Sequence, residues 1–271
     1  MLPKVSILIP TCNRPMWFKQ AFKSALNQTY PNIEIVICDN SDNNKTKKIV
    51  HRFIKNHSFE IRYMKNTKNI GPIPNQQKCL RLATGEYINF LMDDDLFAPT
   101  KIEKMMDCFL KHSGVSLVTS SRQVIDENGQ LREVYQLFQE DKVIDGIELG
   151  NDLLRQGRNL IGEPSTVLFR KNKLKEPFGV FNGVRAEYSV DLATWLNLLS
   201  RGKAVYLTET LSYFRKHSKQ LSEHPLGRLF RTIDWLHFIE QAPKRGFLKR
   251  KERRRVQVEK KTIQNTDRTE Q

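Results

Sequence analysis

The sequence predicts an α/β protein with a mostly parallel central sheet flanked by helices. Two observations carry that prediction. Through the first 120 residues, apolar runs of five or six residues alternate with amphipathic segments of about a dozen, which is the spacing of successive βαβ units. Polar, turn-forming residues follow the apolar runs, as expected where strands end at one edge of a sheet.

The first apolar run, 5–9, is too short for a helix and reads as a buried strand stopped by Pro10. Pro15 suits a first helical turn, and Phe18, Phe22 and Ala25 at i, i+4 and i+7 predict a helix over 15–28. Residues 33–38 form a second strand, 44–56 a more polar helix and 61–64 a third strand. A helix over 74–83 is closed by Gly85. A fourth strand covers 87–92. Ile102, Met105, Met106 and Phe109 mark one face of a helix over 101–111, and a fifth strand covers 115–120. Beyond residue 120 the pattern loosens. A turn is expected at 126–129, and a loop at 162–169 feeds a strand. Tyr188, Leu192, Trp195, Leu196 and Leu199 share one side of a helix over 188–200. A strand over 204–207 and an apolar helix over 226–239 precede a basic tail. The expected division is a half of 1–115, a second half of the same domain over 116–220, and a C-terminal helix with tail over 221–271.

The chain of 271 residues carries 45 Lys and Arg against 30 Asp and Glu, a net charge of +15. Such a balance suits anionic partners: nucleic acid, phosphorylated ligands or an anionic membrane surface. Residues 244–261 hold ten Lys or Arg and two Glu, a local net of +8, with Phe247, Leu248, Val256 and Val258 among them. A segment of this kind can dock on an anionic inner leaflet, or it can be a solvated basic extension. No apolar run approaches the eighteen or so residues of a membrane span. The first run is too short for a signal-peptide core. The four cysteines, Cys12, Cys38, Cys79 and Cys108, form no CxxC pair, which leaves free thiols in a reducing cytoplasm as the simplest expectation.

Chemistry is expected after the strands. Residues 10–14 follow the first, 39–42 the second, and three adjacent carboxylates, Asp93, Asp94 and Asp95, the fourth. Like charges so close repel, and a divalent cation with oxygen ligands would relieve them. Alone, the triplet is a weak signal and reads better as a solvated acidic turn capping the helix that follows. The topology adds weight to a site, because it brings 39–42 and 93–95 to one edge.

These blocks, with Ala25–Pro31, Asn69–Gly71, Ala83–Ile88, Pro99 and a late Asp191, follow one another in an order that resembles the family 2 glycosyltransferases of GT-A fold. The resemblance runs from about residue 3 to 217. It implies an activated nucleotide sugar as donor, a saccharide or lipid-linked saccharide as acceptor, transfer with inversion, and Mn²⁺ or Mg²⁺ as cofactor. It implies that Pro10, Thr11, Asn13 and Arg14 line the nucleotide site, with Asn69, Gly71, Asn75 and Asp93 as further donor contacts. Asp39 would accept from the base, commonly the uracil N3–H, a donor that cytosine lacks. The family form Asp-x-Asp-Asp, counted back from Pro99, puts Met92 at the first Asp and makes Asp94 the metal ligand. Reading Asp93-x-Asp95 as the motif gives Asp95 instead. Asn75-Gln-Gln77 stands where many members carry Ala-Arg-Asn. Arg215 and His217 match a late Arg-x-His element that closes over the diphosphate, though they also read as surface basic residues after a strand.

A general base must take the proton of the attacking hydroxyl. Asp191 lies three residues after Tyr188 and four before Trp195, beside the apolar stripe of its helix. Partial desolvation there would raise its pKa and improve it as a base. A helix N-terminal carboxylate, helped by the dipole, is the plainer reading and is compatible with that role. The resemblance assigns the base to Asp191, with Glu187 as fallback, and puts Glu163 beside the acceptor. Two other classes fit parts of the sequence. A nucleic-acid or anionic-surface binder fits the charge, but no helix-turn-helix, RRM or zinc-finger signature appears, so no specific nucleic acid is expected. A nucleotidyltransferase fits the carboxylates, but the loop after the first strand is not Gly-rich. The expected enzyme is cytoplasmic, acts in cell-surface polysaccharide or glycoconjugate synthesis, and contacts the inner membrane face through 244–261.

Overall fold

A computed structural model describes residues 2–54, 57–218, 220 and 227–249. Its first half runs β1 (Val5–Thr11), α1 (Pro15–Leu26), β2 (Ile33–Asp39), α2 (Lys45–Ile54), β3 (Glu60–Lys65), α3 (Pro72–Leu82), β4 (Tyr87–Phe90), β5 (Leu96–Phe97), α4 (Lys101–Lys111) and β6 (Val115–Ile125). The second half runs β7 (Leu131–Tyr135), β8 (Lys142–Ile144), α5 (Gly146–Gln156), β9 (Leu168–Arg170), β10 (Val180–Phe181), β11 (Val184–Arg185), α6 (Val190–Leu199), β12 (Lys203–Arg215) and α7 (Gly227–Gln241).

The main sheet has the order β3-β2-β1-β4-β9-β6-β12-β5. Strands β3, β2, β1 and β4 are mutually parallel, as are β6 and β12. The short β9 runs antiparallel between β4 and β6 and joins the two parallel sets, while β5, β7 and β8 pair antiparallel at the β6–β12 end. Every residue of β1 and β2 is buried, as strands covered on both faces must be. Alternation along β1 sends Ile7 and Ile9 into one apolar cluster with Phe18, Phe22 and Met105, and Leu8 into the other with Phe90, Phe169 and Trp195.

Several elements differ from expectation for identifiable reasons. Strand β1 does not stop at Pro10 but runs to Thr11. Its pairing with β4 ends at Leu8↔Phe90, so the residue without an N–H sits where one side of the strand is already unpaired. Gly85 does not close α3, which ends at Leu82 with Ala83 extended. It is needed because the chain presses against β1: a Cβ there would lie 2.6 Å from Ser6 Oγ and 2.7 Å from Ser6 N. The strand expected at 204–207 is thirteen residues long, and register shifts between Leu207 and Ser212 break its alternation. Helix α5 was not expected, although Asp145 caps it by accepting from the N–H groups of Ile147 and Glu148, and Gly157 ends it in the left-handed region at φ 68°. The turn at 126–129 is present: Asp126 Oδ1 accepts from Asn128 and Gln130, and Gly129 has φ 86°.

Phe247 and Leu248, expected among the basic residues of a membrane-facing tail, are 1% exposed and belong to the core. The Phe247 ring packs on Gly150 of α5, and Leu248 N–H donates to Asn151 Oδ1. Val256 and Val258 lie outside the described residues.

Candidate active site

The loops after β1, β2 and β4 meet at the carboxyl edge of the parallel strands. Asn13, held at φ 56°, ties the first two together. Its N–H donates to Ser41 Oγ, and its side chain exchanges hydrogen bonds with Asp42 and Asn43. Asp39, at the end of β2, is fully buried. It accepts from Ser41 N–H at 2.8 Å and from the Tyr63 hydroxyl at 2.7 Å. Burial and that carboxylate push the Tyr63 hydroxyl well above its ordinary range. Behind Asp39 lies an amide chain. Asn75 donates to Cys38 O at 2.8 Å and accepts from Asn66, which also donates to Asn40. Asn40 donates to Gly71 O, and Asn69 accepts from Gly71 N–H. Asn40 lies within the 39–42 block but was given no role there, and Asn66 was missed because it falls in no motif.

The three carboxylates face different ways. Asp93 turns toward β1 and accepts from Thr11 Oγ1 at 2.8 Å and Cys12 N–H at 3.2 Å. Burial first, then the adjacent Asp94, push its pKa up to about 6. Arg14 bridges Asp93 at 3.2 Å and Asp94 at 2.7 Å. Asp94 also meets His217 Nε2 at 3.0 Å. Asp95 points inward: it accepts from Ser165 Oγ at 2.5 Å and Arg215 N–H at 2.9 Å, and it is 1% exposed. Burial holds its pKa well above the carboxylate range. Each Asp95 oxygen thus already accepts one hydrogen bond from within the protein, whereas Asp94 meets Arg14 and His217.

Arg215 also lies elsewhere than expected. It is 1% exposed and does not reach over the cleft. Its guanidinium donates to the carbonyls of Asp94, Asp126 and Glu127 and to Gln20 Oε1, at 2.7–3.2 Å. It is a strut beneath the acidic triplet. Trp17 organises the same corner. Its ring packs against His217 with centroids 4.4 Å apart and planes tilted by 34°, and Arg14 and Arg215 lie 5.9 and 5.7 Å from its centroid. Trp17 was missed because it lies off the Phe18–Phe22–Ala25 stripe; its place beside Arg14 was the available signal.

Asp191 sits in the first turn of α6 and accepts from Leu192 N–H and Asn159 Nδ2, both at 2.8 Å. Burial, with Glu163 as a nearby like charge, raises its pKa to about 6. Glu163 is ion-paired with Arg122 at 2.5 Å. Glu187 is exposed and faces Arg185. The loop 159–165 spans the site: Asn159 holds Asp191 at one end, and Ser165 holds Asp95 at the other.

Among the described residues no three His, Cys, Asp or Glu side chains converge as a metal cage. Asp94 and His217 fit a hard divalent cation that takes its other ligands from a diphosphate and water, the usual manner of Mg²⁺ and Mn²⁺ at nucleotide sites.

The mostly parallel sheet with its acidic triplet after the fourth strand is the architecture of the GT-A fold. The chain belongs to glycosyl transferase family 2, whose sequence model matches residues 6–185. Asp191, Arg215 and His217 lie beyond that match. Among its relatives is "Putative glycosyltransferase EpsE" of Bacillus subtilis, 26% identical over 220 residues, covering 80% of this chain and 74% of that protein. Another is the GalNAc(5)-diNAcBac-PP-undecaprenol beta-1,3-glucosyltransferase of Campylobacter jejuni, 36% identical over 94 residues, covering 35% of this chain and 30% of that protein. S. aureus TarS 1-349 in complex with UDP-GlcNAc superposes with a TM-score of 0.72 at 18% identity, covering 93% of this chain and 70% of that one. No described helix is long and apolar enough to cross a membrane.

Proposed function

We propose that this chain transfers a sugar from a UDP-sugar to an acceptor hydroxyl with inversion, using Mn²⁺ or Mg²⁺. The observation that carries the reading is the loop 159–165, which hydrogen-bonds Asp191 at one end and Asp95 at the other. It links a carboxylate of raised pKa to the acidic triplet at the sheet edge. In this reading Asp39 recognises the pyrimidine, and Thr11, Asn13 and Arg14 with Asn69, Gly71 and Asn75 shape the nucleotide site. Asp93 fixes the loop after β1. Asp94 and His217 would hold the cation, which would supply positive charge against the departing diphosphate. Arg14 supplies further positive charge at the same place. Asp191 accepts the proton of the attacking hydroxyl, opposite the leaving group, and Glu163 orients the acceptor. Arg215 acts from beneath by holding the Asp94 backbone.

The named Campylobacter relative supports a lipid-linked saccharide as acceptor, and polysaccharide or glycoconjugate synthesis as the setting. The donor half would be 1–115, the acceptor half 116–220 and the C-terminal unit 221–271. Membrane contact would fall to the basic residues from 249 onward.

The test is UDP release from a panel of UDP-sugars with Mn²⁺, reading the anomer first released by NMR. Release of the β-sugar from an α-linked donor supports the proposal; first release of the α-sugar contradicts inversion.

A further inference from the structure

Helix α6 carries Asp191 in its first turn, yet Ser189, its N-cap, makes no side-chain capping bond. The segment entering α6 is held from outside. Asp234, on α7 and 4% exposed, accepts from Glu187 N–H at 2.9 Å through one oxygen. Through the other it accepts from Tyr188 N–H at 2.8 Å and Ser189 N–H at 2.7 Å. Two neighbours one turn apart complete the contact. Arg231 donates to the Tyr188 hydroxyl at 3.3 Å and lies 5.2 Å from its ring centroid. Gly227 lets the same ring approach, since a Cβ there would fall 2.6 Å from Tyr188 Cε2. Gly227, Arg231 and Asp234 fall at i, i+4 and i+7, so one face of α7 grips residues 187–189.

We infer that Asp234 is a positioning residue for the base, fixing from α7 the segment that leads into helix α6 and so setting where Asp191 meets the acceptor hydroxyl. This rests on the reading of Asp191 as base. A buried carboxylate taking three backbone N–H groups is hard to replace: removing an acceptor oxygen leaves buried donors unsatisfied, and the segment gives way. The segment ends two residues before Asp191. A displacement of about 1 Å of a reacting group costs on the order of 100-fold in rate. The donor side, built on β1, β2 and β4, shares none of these contacts.

The test compares full-length wild type, Asp234→Asn, Asp234→Glu and Arg231→Ala. The readouts are UDP affinity, UDP release from the most active UDP-sugar of the panel, and amide exchange by mass spectrometry. Asp234→Asn is expected to speed exchange in 187–192 while leaving 10–14 at wild-type rates. It should cut kcat by about tenfold or more, with donor KM and UDP affinity unchanged within about twofold. Asp234→Glu should recover part of kcat. Arg231→Ala, which disturbs no buried charge, should show a smaller loss of the same kind and serves if the Asn variant does not fold. Wild-type kcat in Asp234→Asn and Arg231→Ala, whether or not exchange rises, overturns the inference. Wild-type turnover in Asp191→Asn instead overturns the base reading on which it rests, and is read separately from any change in exchange at 187–192.

Discussion

Asp94 and Asp191 carry the chemistry proposed here, and their surroundings set opposite demands. Asp94 is gripped by two basic side chains, Arg14 and His217. Asp94→Asn keeps the shape and removes the charge, so it should lower UDP-sugar turnover by about 100-fold or more while the fold melts as before; a steady-state assay and a thermal scan check this. Asp191 is instead poised by burial, with a pKa of about 6. A base must be ionised to act, so kcat should fall about tenfold per pH unit below 6 and level off above it. Stability follows the opposite sign. Burial penalises the ionised form, so the native state loses Asp191's contribution as pH rises from the ordinary 3.8 through about 6. Asp191→Asn should lose the acidic limb together with the activity. At this scale the sequence made the strand-end residues legible, because Thr11, Asn13, Arg14, Asp39 and the triplet sit in contiguous motifs. It did not expose Trp17, Asn159 or Asp234. Their partners are supplied by elements tens to hundreds of residues away, and no local spacing encodes them. Arg215 was visible, but its direction was not: the same basic side chain can cover a cleft or brace it from below.

Among the elements, the parallel units were legible because each strand is a short buried run and each crossover helix has an apolar stripe. Helix α4 was expected over 101–111 and is found there, with the four residues of its apolar face, Ile102, Met105, Met106 and Phe109, all buried. The second half was harder to read. Strands β7 and β8 are mostly exposed, and β12 is interrupted by shifts of register, so neither alternation nor a continuous run marks them. Gly85 shows how a correct residue can carry a wrong reason: it looked like a helix end and is a point of close approach. Gly85→Ala places a methyl against the backbone of Ser6 and Lys4, atoms that cannot swing aside. It should destabilise the protein by about 1–3 kcal/mol in urea titration, with the slope unchanged. Trp17→Ala removes the surface on which His217 and the two guanidiniums rest. It should weaken UDP binding in the presence of Mn²⁺ by about tenfold, and Trp17→Phe, which keeps a ring, by less.

For the whole molecule, the charge of +15 was a poor guide to function taken alone, since it fits several classes of partner. Its distribution says more. The basic residues from 249 onward follow a segment, Phe247–Leu248, that is anchored in the core beside α5. A chain ending at Lys249 should therefore fold and turn over donor like the full protein. In the membrane reading it should lose binding to vesicles containing phosphatidylserine, measured by sedimentation; equal binding by both chains would remove the membrane role. A chain ending at Arg245 should be less stable, because it loses the buried Phe247.

The central claim is a UDP-sugar site built on Asp39 and a cation held at Asp94, and calorimetric titration with UDP tests it most directly. Wild type, Asp39→Ala and Asp94→Ala would each be titrated with and without Mn²⁺. Expected are Mn²⁺-dependent binding to wild type, binding severely weakened in Asp39→Ala, and loss of the Mn²⁺ dependence in Asp94→Ala. Equal binding by all three proteins, or UDP binding by none while GDP or dTDP binds, would contradict it.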